Sequence, residues 1–121
     1  MAKQTVVFDF DGVIHSYTSG WKGQAVIPDE PVSGIKEAIN NIRAAGYEVV
    51  VVSTRCATPE GHGAVRAWLI DHGIDVDDVK MEKPPAIVYI DDRAICFDGD
   101  ASTLLDKIHA FKPWNRRGED G

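Results

Sequence analysis

Residues 47–53 read YEVVVVS, and a run of four valines permits few folds. Successive side chains of a strand point to opposite faces, so this strand is apolar on both. A half-exposed strand would put every second valine in water. The run therefore predicts a central strand of a parallel sheet, covered on both sides. Parallel neighbours need long crossovers, which are usually helices.

The flanking sequence supplies them. Residues 5–10 (TVVFDF) are β-branched and aromatic and predict a first strand. Residues 12–31 read as a loop, with a small hairpin near Ser19-Gly20. Val32, Ile35, Ala38, Ile39, Ile42 and Ala45 recur at spacings of three and four, predicting a helix that Gly46 stops. Thr58 reads as the N-cap of a second helix with Pro59 at its first position. That helix runs to about His72 and ends at Gly73. Residues 74–80 hold a short strand or extended piece, and Pro84-Pro85 breaks the chain. AIVYI at 86–90 predicts a buried strand, and 95–97 a short last one. Ser102 caps a final helix to about Phe111, with Leu104, Leu105, Ile108 and Phe111 on one face. Alternating strands and helices predict an α/β fold: a three-layer α/β/α, Rossmann-like arrangement around a mostly parallel sheet, with right-handed connections. Residues 1–111 form one domain, and 112–121 a flexible polar tail in which Arg116-Arg117 is solvated.

Composition narrows the function. A chain of 121 residues, 44% hydrophobic, affords one domain with a real core. Its formal net charge of -6 lacks the basic face of a protein that coats nucleic acid. Nucleic acid enters only as a substrate end. An acidic protein that handles anions needs a local positive charge, such as a metal. Cys56 and Cys96 form no CxxC pair and have no histidine cluster, so they read as reduced, mostly buried thiols. No signal-like segment precedes the first strand and no run approaches membrane-spanning length, so a cytoplasmic location is expected and no membrane partner.

In open parallel sheets, ligands bind at the carboxyl ends of the strands. The first strand ends at Asp9 and Asp11, with Gly12 after them. The valine strand ends at Ser53-Thr54-Arg55. The strand at 86–90 ends at Asp91-Asp92-Arg93, and Lys83 precedes it. Four separate stretches thus deliver polar groups to one sheet edge.

DFDGV at 9–13, VVVVST at 49–54, Lys83 in EKPP, and YIDD at 89–92 resemble the four motifs of the haloacid dehalogenase (HAD) superfamily, in order and at compatible spacing. Within it they are similar to the magnesium-dependent phosphatases. The resemblance spans residues 5–111 and implies a HAD-like phosphomonoester hydrolase. Asp9 would be the nucleophile that forms an aspartyl-phosphate, and Asp11 the general acid and base. Mg2+ would be held by the Asp9 carboxylate, the Asp11 backbone carbonyl and the Asp91-Asp92 pair, with Asp91 direct and Asp92 in support, or the reverse. Ser53 and the backbone near Thr54 would bind phosphate oxygens. Lys83 would secure the phosphate and pair with Asp9. An acid at position 11 fits phosphoryl transfer rather than carbon–halogen cleavage.

Superfamily phosphatases often carry a cap domain, but residues 13–31 and 55–82 are too short to house one. A capless, open site suits either a large phosphorylated partner that excludes water itself or a small phosphate ester covered by a neighbouring subunit in an oligomer. Two other readings stand beside the phosphatase. One is a catalytically weak phosphate- or metal-binding module. The other is a polynucleotide-end phosphatase, since IDDR at 90–93 is similar to domains acting on 3′ ends, against which the acidic charge weighs. A phosphoacceptor receiver domain also uses acids, magnesium and a lysine, but DxDG on the first strand does not match it.

Several neighbours stay open. Arg55 and Arg93 either bind substrate or bridge acids at the rim. His15 reads as a loop histidine of ordinary surface exposure. Tyr17 and Trp21 either stack on a base or sugar or pack the loop down. Asp98 and Asp100 read as a solvated turn.

Overall fold

The computed structural model describes residues 3–116. The elements are β1 (Thr5–Asp9), α1 (Ile35–Ala44), β2 (Glu48–Val52), α2 (Pro59–Asp71), β3 (Asp78–Lys80), β4 (Val88–Ile90) and α3 (Leu104–Ala110). Short 3-10 turns lie at Thr54–Ala57, Ala101–Thr103 and Trp114–Arg116. The four strands form one parallel sheet in the order β3-β2-β1-β4. This is an α/β fold, and no helix among the described residues is long and apolar enough to cross a membrane.

The valines of β2 are buried on both faces. Val49 and Val51, with Val6 and Phe8 of β1 and Val79 of β3, share a core with Ile39 of α1 and Val65, Trp68 and Leu69 of α2. Val50 and Val52 pack with Val7 on the opposite face, against Ala86. Each buried valine contributes roughly 1.5–3 kcal/mol. Both helical crossovers lie on one face, and the connection from β3 to β4 is a loop. Residues 81–87 are few and carry Pro84-Pro85, which has no N–H to continue a helix. α3 has no buried residue and enters neither core. Helices on both faces were expected from the alternation of strands and helices; on the second face the loop residue Ala86 packs instead.

Local chemistry sets the other boundaries. α1 begins at Ile35, after the expected Val32, because Gly34 is left-handed at φ 81. Thr58 accepts from the Gly61 N–H and Pro59 opens α2, as predicted. Residues 95–97 form no strand, and Ser19-Gly20 no hairpin. The thiols expected to be buried are not: Cys56 is half-buried and Cys96, in that strandless stretch, is exposed. The last helix starts through Asp100, which accepts from the Ser102 N–H. The expected loose tail is tied down at its start: Trp114 Nε1 donates to the Gly12 carbonyl at 2.6 Å and Asn115 Nδ2 to the Ser16 carbonyl at 3.2 Å. Arg117 and the rest of the tail lie outside the described residues.

Candidate functional site

β1 and β4 are adjacent, with Phe8 opposite Ile90. One step further along both strands brings Asp9 beside Asp91. One carboxylate oxygen from each of Asp9, Asp91 and Asp92 lies within 4.8 Å of the others. Gly12 makes room for this: its φ is 86, and a Cβ there would sit 2.1 Å from Asp92 Oδ2. The position therefore requires glycine on two counts.

The electrostatics follow. Burial pushes the Asp9 carboxyl up to about 7, helped by repulsion from Asp91 and a hydrogen bond with Asp92. Burial also raises Asp92. Partial burial would raise Asp91 too, yet hydrogen bonds from the Arg93 N–H and Lys83 hold it below its ordinary value. Converging hard oxygens with surplus negative charge, and no sulfur or imidazole among them, fit a magnesium ion.

Lys83 reaches this cluster, but its Nζ lies 3.2 Å from Asp91 Oδ2, so its partner is Asp91 and not the expected Asp9. Tyr89 donates its hydroxyl to the Pro84 carbonyl, tying the loop that carries Lys83 to β4.

The Asp11 carboxylate turns away to a buried network. Its Oδ1 is 2.8 Å from His15 Nδ1, and its Oδ2 accepts from Arg55 Nε at 2.9 Å. His15 is 0% exposed, in contrast to the surface position expected for it. The Asp29 N–H lies 3.1 Å from His15 Nε2, so both ring nitrogens have partners. Arg55 is also 0% exposed. Its Nη1 donates to the carbonyls of Gly23, Gln24 and Val26. Of the two roles open to Arg55, binding substrate or bridging an acid, the structure shows the second: its charge is given to Asp11 and to the loop above it.

Ser53 is buried at the end of β2, where its Oγ accepts the Arg55 N–H at 3.1 Å and caps the following turn. That leaves the hydroxyl hydrogen able to donate. Asp9, Asp11, Asp92, Ser53 and Thr54 border one pocket of about 260 Å³. Tyr17, Trp21 and Arg93 complete its wall. Of the two arginines left open, Arg93 is thus at the pocket and Arg55 in the interior. Asp98 pairs with Lys107 and Asp100 caps a turn, away from the pocket.

Sequence reasoning missed the His15–Asp11–Arg55 network and the Trp114 tie. The available signals were His15 directly after the apolar Val13-Ile14, and a tryptophan in an otherwise polar tail.

No family model matches the chain, and no curated protein matches it. Among solved structures it is similar to the crystal structure of a target protein from Vibrio cholerae, at 23% identity and a TM-score of 0.51. The match covers 88% of this chain and 94% of that one, so the likeness in fold runs through nearly the whole of both.

Proposed function

We propose that this chain is a magnesium-dependent phosphomonoester hydrolase that works through an aspartyl-phosphate, a capless member of the HAD superfamily. The observation that carries this is the meeting of the Asp9, Asp91 and Asp92 carboxylates at the ends of two neighbouring parallel strands. Three acids in one spot oppose one another, and a cation site explains their company better than packing does.

Asp9 Oδ attacks phosphorus as the bond from phosphorus to the ester oxygen breaks. Asp11 gives that oxygen a proton, then takes one from the water that opens the aspartyl-phosphate and regenerates Asp9. Arg55 and His15 fix the angle of Asp11 for both steps. The Ser53 hydroxyl and the backbone near Thr54 bind a phosphoryl oxygen. Lys83 offsets the charge of Asp91. Bound Mg2+, held by Asp9, the Asp91-Asp92 pair and the Asp11 carbonyl, would neutralise the acids and stabilise charge on the phosphoryl oxygens.

A phosphate- or metal-binding module without turnover is the second reading. It is favoured by one observation: both Asp11 oxygens already have partners. Phosphate release from an aryl phosphate, with magnesium and with a chelator, separates the two. The phosphatase reading expects magnesium-dependent release that Asp9→Asn abolishes. Absence of release from the parent protein, or parent-level release by the variant, rejects it.

A further inference from the structure

We propose that Tyr17 and Trp21 form a leaving-group subsite for a planar aromatic ring, so that ring-bearing phosphate monoesters are the preferred substrates; this rests on the phosphatase reading above. Both side chains border the pocket that holds Asp9 and Ser53. Each is held from behind by a buried polar group. The Trp21 ring lies over the Arg55 guanidinium, with its centroid 4.6 Å from Cζ. Tyr17 meets the buried His15 ring edge to face at 5.9 Å.

The loop that carries them is braced. Arg55 Nη1 holds three of its carbonyls, and Gln24 Nε2 donates to the carbonyls of Thr54 and Arg55. Trp21 nonetheless stays 52% exposed, so the bracing does not serve to bury it. Tyr17 is the one non-glycine residue among those described with a left-handed backbone, at φ 61. A bulky residue in that conformation is strained, and such strain concentrates at ligand sites. Two aromatic walls on a fixed loop, bordering the same pocket as Asp9 and Ser53, match a flat ring joined to a phosphoryl group. Stacking tolerates any flat ring, so the same wall accepts a nucleobase or an aryl group.

The test compares three monoesters with the full chain and magnesium: adenosine 5′-monophosphate, phenyl phosphate and glycerol phosphate. Trp21→Ala and Tyr17→Ala should each lower kcat/KM on a ring-bearing ester roughly 10- to 100-fold more than on glycerol phosphate. Trp21→Phe should recover most of that loss. A differential loss on the nucleotide identifies a base as the ring, and on phenyl phosphate alone an aryl group. Equal losses on all three esters overturn the subsite and leave the phosphatase reading intact. If the parent protein hydrolyses none of them, that reading fails. Binding of adenosine 5′-monophosphate by Asp9→Asn protein then decides the subsite: quenching of tryptophan fluorescence that Trp21→Phe removes supports it, and no quenching overturns it.

Discussion

Replacing Asp9 by Asn should stabilise the metal-free protein at alkaline pH while removing its chemistry. Burial, Asp91 and Asp92 raise the Asp9 carboxyl from 3.8 to about 7. The folded chain therefore holds this proton more tightly than the unfolded chain does. Between about pH 4 and pH 7 the native state binds more protons, so stability falls as pH rises, and above pH 7 the whole cost is present. At about 1.4 kcal/mol per pH unit, the rise from 3.8 to about 7 caps that cost at about 4 kcal/mol. Water in the open pocket screens part of it, leaving about 2–3 kcal/mol. Asp92, also raised, acts in the same direction. Asp91 is lowered, so its contribution is lost only as pH falls below the window. Asparagine keeps the size and the hydrogen bonding and deletes the charge. In thermal melts with chelator at pH 8, the variant should melt roughly 6–12 °C above the parent, and at pH 4.5 the gap should shrink to a few degrees. Magnesium should raise the midpoint of the parent at pH 8 and that of the variant much less. A variant that melts at or below the parent at pH 8, or a gap that ignores pH, refutes the electrostatic reasoning.

Gly12→Ala drives a methyl group toward the Asp92 carboxylate and strains a left-handed backbone; it should cost about 1–3 kcal/mol in urea unfolding and weaken magnesium binding measured by calorimetry. Arg55→Met leaves Asp11 without its ion partner and three loop carbonyls without a donor. A loss of about 3–5 kcal/mol in urea unfolding is expected, and one under about 1 kcal/mol would show that the network is not structural. Lys83 is 49% exposed at its side chain, so Lys83→Met should change stability by less than about 1 kcal/mol. The same change should let the Asp91 carboxyl rise toward its ordinary value, followed by NMR titration of its side-chain carbon.

The sequence was most legible where a few adjacent residues decide the outcome. The valine run implies a doubly covered strand whatever lies elsewhere. Thr58-Pro59 carries its own cap. Asp9 and Asp91-Asp92 follow apolar runs that can only be strands, so their arrival at one sheet edge follows from topology. Legibility ended where a distant partner decides. Nothing near Arg55 indicates that Asp11, 44 positions away, takes its charge. His15 looks like a surface residue until Asp11 and Asp29 close on both its nitrogens. Lys83 was expected to reach across to Asp9 of the first strand, and it pairs instead with Asp91, eight positions on. The α3 pattern promised a packed face, but a stripe of apolar residues does not say whether a sheet face awaits it: Leu105 and Ile108 remain largely exposed.

The sheet order also governs how the chain emerges from the ribosome. β1 ends up between β2 and β4, yet it is translated long before β4. Until that partner leaves the exit tunnel, one edge of a strand bearing Val6, Val7 and Phe8 has no hydrogen-bonding neighbour. Such an edge recruits strands from other chains, and nascent polypeptides in this condition depend on chaperone cover. The bond from Trp114 to Gly12, which bridges 102 positions, forms only after that interval has passed.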